Sequence, residues 1–238
     1  MKPYQKVPIK ECGEALLAIS RSHFALVTPH PYVALGAPYS GYSPYYLRQG
    51  VLQKLLAAQA YLQARKAGWK LQIFDAYRPV AVQQFMVDYA FEQLAIAKGL
   101  DITDINIETR AGLQAEVSQF WAVPSADPRT PPPHSTGAAV DLTLLDSSGS
   151  VVDMGSEIDE ISPRAYPNYF AQQKGEQAQQ FHRHRQLLAE AMTQTGFRQH
   201  PNEWWHFSAG DQLWAWQTGN GAIARYGCAH PESRSGSP

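Results

Sequence analysis

The sequence predicts an α+β chain, a small antiparallel sheet with flanking helices, on three observations. Long segments repeat apolar residues at three- and four-residue steps, short segments alternate apolar and polar residues or are wholly apolar, and Gly and Pro punctuate them. No segment repeats another and no linker-like stretch interrupts residues 1–230, which read as one domain. Pro231 to Pro238 has the composition of a disordered tail.

The elements follow in order. Residues 1–46 are rich in Pro, Tyr and Gly and read as extended chain broken by turns, with most tyrosines packed over a core edge. From Leu47 to Lys66 the residues Leu52, Leu55, Leu56, Ala58 and Leu62 mark an amphipathic helix that Gly68 stops. Lys70 to Asp75 alternates as a short strand, and Pro79 sits in the first turn of a second helix carrying Val82, Phe85, Met86, Tyr89 and Leu94, ended by Gly99. Ile102 to Ile107 reads as strand or loop and Leu113 to Trp121 as a short helix. The run Pro128 to Pro133 is stiff and extended, Ala138 to Leu144 is a buried strand, and Asp146 to Gly149 is a turn before a returning strand at Val151. A third helix runs from Gln177 to Thr195, and Trp204 to Ser208 is a short aromatic strand.

Composition narrows the function. A chain of 238 residues with 44% hydrophobic content holds a sizeable core. A formal net charge of −1 without a basic block speaks against nucleic acid or an anionic membrane as partner, and favours a small molecule. No apolar run reaches membrane-spanning length, and Met1 to Pro8 lacks the apolar core of a signal peptide, so the expected compartment is the cytoplasm. Cys12 and Cys228 fall outside any CxxC spacing and are expected as unpaired thiols. Oligomeric state is not encoded in any of these features.

Two short motifs carry chemistry. His134 and Asp141 lie seven positions apart across Gly137, and Glu203 precedes His206 by three. Together they offer two imidazoles and a carboxylate as ligands with a second carboxylate to spare, the donor set of a catalytic zinc site with one ion per chain. A straight strand would hold His134 and Asp141 about 20 Å apart, so the chain must fold back, and Gly137 is where it can. Glu203, beside the metal but not bound to it, can take a proton from water and pass it to a leaving amine; Arg78 is a fixed cation for the oxyanion. Each motif alone is weak. A lone His–Asp pair is more often a core hydrogen bond, Arg78 alone reads as pairing with Asp75 in a turn, and His182, His184 and His200 read as exposed.

Taken jointly, the segments Asp75 to Pro79, His134 to Leu144, Asp153 to Gly155 with Asp159, and Glu203 to His206 resemble the VanX-type D-alanyl-D-alanine dipeptidases, zinc peptidases with a hedgehog-like fold. The resemblance spans about Leu47 to Phe207. It implies His134, Asp141 and His206 as zinc ligands, Glu203 as general base and acid, and Arg78 as stabiliser of the tetrahedral intermediate. It also implies that Asp159 receives the ammonium of a small dipeptide substrate, helped by a tyrosine, for which Tyr32 is chosen. Where that group carries Ser two residues before its first zinc histidine, this chain has Pro132. Ser135 or Thr136 is therefore expected to hold the substrate carboxylate. The competing readings are a peptidoglycan D,D-carboxypeptidase or endopeptidase of the same fold and a non-catalytic, zinc-stabilised binding module.

Overall fold

The structure, a computed structural model, describes residues 2–229; the tail expected over 231–238 lies outside them. After a 3-10 turn at Pro3–Lys6 come β1 (Leu16–Ala18), β2 (Ala25–Leu26) and the single-turn helix α1 (Pro31–Ala34), consistent with the turn-broken character of this region. β3 (Tyr46–Arg48) precedes α2 (Gln49–Arg65), so the first two residues of the expected helix are strand. Leu47 and Arg48 pair with β1, and this pairing wins over the weak helical preference at a terminus.

β4 (Lys70–Asp75) and α3 (Val80–Ala97) match expectation, with Pro79 one residue ahead of the helix. α4 (Ile107–Phe120) starts earlier than its apolar pattern suggests, because Asn106 caps it by accepting from the Thr109 amide at 2.8 Å. β5 (Ala139–Leu145), α5 (Glu176–Thr193), β6 (Arg198–Gln199) and β7 (His206–Ser208) follow. The returning strand at Val151 reduces to a single bridge with Leu145. α6 (Gln212–Thr218), capped by Asp211, was not expected from the sequence.

The strands form a five-stranded sheet in the order β2-β4-β5-β7-β6 and a separate β1-β3 ribbon. Every pair is antiparallel except β2 with β4. That pair is parallel because the chain returns to the sheet through β3 and α2, the long crossover that parallel strands need.

One face of the sheet, with Leu71, Ile73, Val140, Leu142, Leu144 and Phe207, packs on Leu55 and Leu62 of α2 and on Leu188 and Met192 of α5. All of these side chains are fully buried, and each contributes roughly 1.5–3 kcal/mol by leaving water. A smaller core joins Tyr32 and Tyr39 to Val82 and Met86 of α3 and to Val117 and Trp121 at α4.

Both ends of the described chain return to the middle of the molecule. Gly227 donates to Glu11 Oε2 at 2.6 Å, Arg48 Nη2 donates to the Gly227 carbonyl at 3.3 Å, and Ala229 donates to the Ser135 carbonyl at 2.8 Å.

Candidate active site

The central strand sets the site. Along β5 the residues Val140, Leu142 and Leu144 enter the core, so Asp141 points to the opposite face. Asp141 pairs in register with Asp75 on one side and with His206 on the other. Three functional side chains thus share one rung of three neighbouring strands. The alternation of β4 would put Asp75 on the core face with Leu71 and Ile73, but a bulge between Ile73 and Asp75 shifts the register by one and turns it to the site.

His134 arrives from outside the sheet. The prolines deliver it into a 3-10 turn, Pro133–Thr136, and Gly137 reverses the chain with φ of +70° before β5 begins. The fold-back closes the distance that a straight strand would impose: His134 Nε2 lies 3.2 Å from Asp141 Oδ2.

Proton positions follow from the partners. His134 Nδ1 is 2.7 Å from the Ala76 carbonyl, which can only accept, so that nitrogen carries the hydrogen and Nε2 presents a lone pair. His206 Nε2 bonds the Ser208 hydroxyl at 3.2 Å, leaving Nδ1 to face Asp141 Oδ1 at 3.0 Å and His134 Nε2 at 3.1 Å. One ligand atom from each of the three residues falls within 4.8 Å of the others, and Asp141 Oδ1 is buried without a hydrogen-bond donor. Tetrahedral ligands at the usual metal distances stand about 3.3 Å apart, so these residues fit a small divalent ion bound by nitrogen and oxygen. The anchors behind both rings are those that orient metal-binding histidines. Burial pushes the Asp141 carboxyl up, but the neighbouring His134 and His206 outweigh it and hold it below the ordinary range.

Around this centre stand the other expected residues. Glu203 Oε2 lies 3.7 Å from His206 Nδ1 and Oε1 lies 3.4 Å from His200 Nδ1; burial, with the charge of Asp141, raises its pKa well above an ordinary glutamate. His200 is buried rather than exposed, because the turn between β6 and β7 folds it over Glu203. Arg78 is also buried, its guanidinium donating to Asp75 Oδ2 from Nε and Nη2 at 2.9 and 2.7 Å and to Gln83 Oε1 at 2.9 Å, while Nη2 reaches Asp141 Oδ2 at 3.4 Å. It lies 4.9 Å from the Tyr32 ring centroid and 5.1 Å from that of Trp121.

Asp159 adopts a left-handed backbone with φ of +67° and accepts a 2.6 Å hydrogen bond from the Tyr32 hydroxyl. Burial, reinforced by Asp141, pushes its carboxyl up to about 7. Ser135 and Thr136 lie elsewhere: their hydroxyls donate to the carbonyls of Arg78 and Pro133 at 2.7 and 2.6 Å, and neither lines the pocket.

Sequence reasoning missed three contributors. Arg185 of α5 donates to the Met154 and Tyr166 carbonyls at 2.7 and 2.9 Å and to Ser156 Oγ at 3.0 Å, tying down both ends of the loop that carries Asp159. An arginine in an otherwise polar stretch of helix gave no signal of this. Lys2 and Tyr4 of the N-terminal turn also line the pocket, and their short, ordinary segment bore no motif. The free volume between these groups is about 30 Å³, where one water needs about 15 Å³, so the site is a slot rather than an open groove.

Converging lone pairs beside a spare buried acid and an immobile guanidinium are what metal-dependent amide hydrolysis requires, and the class that this fold and site define is a metallopeptidase. Sequence comparison narrows the class. The Peptidase M15 family model, described as D-ala-D-ala dipeptidase, matches residues 26–224, and the chain belongs to that family. It is 48% identical over 223 residues to a D-alanyl-D-alanine dipeptidase of Synechocystis sp., covering 91% of this chain and 90% of the relative. A D-alanyl-D-alanine dipeptidase of Escherichia coli is 29% identical over 60% of this chain and 57% of its own length. One of Enterococcus faecalis is 24% identical over 74% of this chain and 80% of its own.

Proposed function

We propose that this chain is a zinc dipeptidase, acting as one domain, that hydrolyses D-Ala-D-Ala or a closely related D,D-dipeptide to free D-alanine. One ion per chain would be held by His134, Asp141 and His206. The observation that carries the reading is that the metal donors, Glu203 and Asp159 line a single narrow slot, with Tyr32 behind it donating to Asp159. Bound zinc supplies Lewis acidity and lowers the pKa of water.

The protein's own residues supply the rest. Glu203 takes the proton of the attacking water and returns it to the departing amine; the raised pKa of its buried carboxyl suits the protonated half of that cycle. Arg78, immobilised by Asp75 and Gln83, meets the carbonyl oxygen as charge develops on it. Asp159 with Tyr32 receives the substrate ammonium, so a peptide extended at that end would bury an unpaired acid. The same reading puts the work in the cytoplasm, where the unpaired Cys12 and Cys228 suit a reducing compartment.

A carboxypeptidase reading has one observation in its favour. An apolar groove of about 420 Å³, lined by Phe74, Met86 and Leu94 among others, shares Trp121 and Asp159 with the slot. Purified, zinc-loaded protein assayed on free and N-acetylated D-Ala-D-Ala and on L-Ala-L-Ala separates the two. Efficient release of D-alanine from the free D,D-dipeptide alone is expected, and efficient cleavage of the N-acetyl form would decide for the carboxypeptidase. Glu203→Ala should keep its zinc and lose about a hundred- to ten-thousandfold in kcat, whereas His206→Ala should lose the metal. Unchanged turnover in Glu203→Ala would overturn the mechanism.

A further inference from the structure

A dipeptide carries two charged ends, and the slot has an evident partner for only one of them. Asp159 and Tyr32 suit the ammonium. For the carboxylate, a buried site needs a cation or several donors, because a desolvated and unpaired carboxylate is strongly disfavoured. Among the described residues, two cationic side chains line the slot, Arg78 and Lys2. Arg78 is held in place by Asp75 and Gln83 and already has a role, at the carbonyl oxygen. The hydroxyls nearest in sequence to His134, those of Ser135 and Thr136, are engaged by backbone carbonyls.

We propose that Lys2 is the receptor for the substrate carboxylate. This rests on the dipeptidase reading and gives it a second anchor. The Lys2 side chain is half-buried in the slot wall, and its ammonium makes no hydrogen bond or ion pair with any described residue. Burial lowers its pKa and the charge of Glu203 partly restores it, as expected for a cation facing the reaction centre without a partner of its own.

The placement is built rather than incidental. The Lys2 amide donates to Gln5 Oε1 at 2.8 Å, and the Gln5 amide donates to the Lys2 carbonyl at 3.1 Å. The turn that follows is fastened to α6, where the buried Gln212 donates from Nε2 to the Val7 carbonyl at 2.6 Å and to that of Gln5 at 3.3 Å. Lys2 precedes residues 26–224, the span matched by the family model, so the family description does not supply the assignment.

The test uses the zinc-loaded full chain, with kcat and KM measured for D-Ala-D-Ala and for its C-terminal amide, which lacks the carboxylate charge. Lys2→Met preserves the apolar stem and removes the ammonium. It should raise KM for the free acid by about ten- to hundredfold with little change in kcat. Activity on the amide should be unchanged, so that the preference for acid over amide collapses, and Lys2→Arg should retain most of that preference. Wild-type KM in Lys2→Met overturns the assignment, as does an equal loss on acid and amide, which would mark a structural role. If the wild type cleaves the dipeptide while Lys2→Met is indifferent, the assignment falls alone. If the wild type cleaves no D,D-dipeptide, the dipeptidase reading falls and the assignment falls with it.

Discussion

Arg78 is 3% exposed, and a guanidinium that deep is tolerated only because Asp75, also fully buried, takes two of its hydrogen bonds and Gln83 a third. Asp75 stays charged although burial opposes it, since Arg78 and then His30 outweigh the desolvation. His30 Nε2 and the Tyr39 hydroxyl meet its other oxygen at 3.0 and 3.2 Å. Asp159 is the opposite case, a carboxyl pushed up to about 7 because burial and Asp141 both act against its charge. Its sign has two consequences. Folding stability from this group is greatest below the unfolded carboxyl's pKa near about 4 and falls as pH rises to about 7. Ammonium binding runs the other way, since only the ionised form attracts a cation. KM for the free dipeptide should therefore rise as pH drops below about 7, and Asp159→Asn should show a high KM that no longer varies there. A pH-dependent KM retained in Asp159→Asn would remove Asp159 from that role.

At the scale of elements, the turn at Gly137 and the bulge in β4 make the site. At Gly137 a Cβ would come within 2.3 Å of Leu16 Cδ2, and φ is +70°. Gly137→Ala should cost about 1–3 kcal/mol and lower metal occupancy by displacing His134, seen as a reduced Tm and reduced metal per chain. The need for this turn was legible beforehand, because His134 and Asp141 cannot meet along a straight strand. The bulge was not. The alternation of Lys70–Asp75 puts Asp75 among core residues, and only the pairing of Ile73 with Leu142 and of Asp75 with Asp141 reveals the extra residue. The expected pairing of Arg78 with Asp75 is present, but its burial on the site face was not legible for the same reason. The tie from Arg185 to the Asp159 loop was equally hidden, since it joins a helix to backbone carbonyls 31 and 19 residues earlier in the chain. Hydrophobic period reports which face of an element is buried. It does not report which element lies opposite.

On the scale of the molecule, the three long helices and the central strands were readable from their period, while the ribbon β1-β3 and α6 were not. Those pieces are short, and neighbours far away in sequence, rather than local preference, hold them. A metal bound by three residues from two separate segments should stabilise the whole domain by linkage. At a hundredfold excess over Kd this is about 2.7 kcal/mol, so a chelator should lower Tm by roughly 5–10 °C. An unchanged Tm would mean that the native state binds metal no better than the unfolded chain. The bonds from Gly227 and Ala229 to Glu11, Arg48 and Ser135 carry a different kind of consequence, one of timing. The loops closed by Gly227 span most of the sequence and form slowly. During synthesis His134 and Asp141 emerge long before His206, and one of the bonds that brace the backbone behind His134, from the Ala229 amide to the Ser135 carbonyl, comes from a residue made near the end. A half-made chain therefore carries two of the three proposed metal ligands and lacks the third, so metal binding is expected only once His206 has been made.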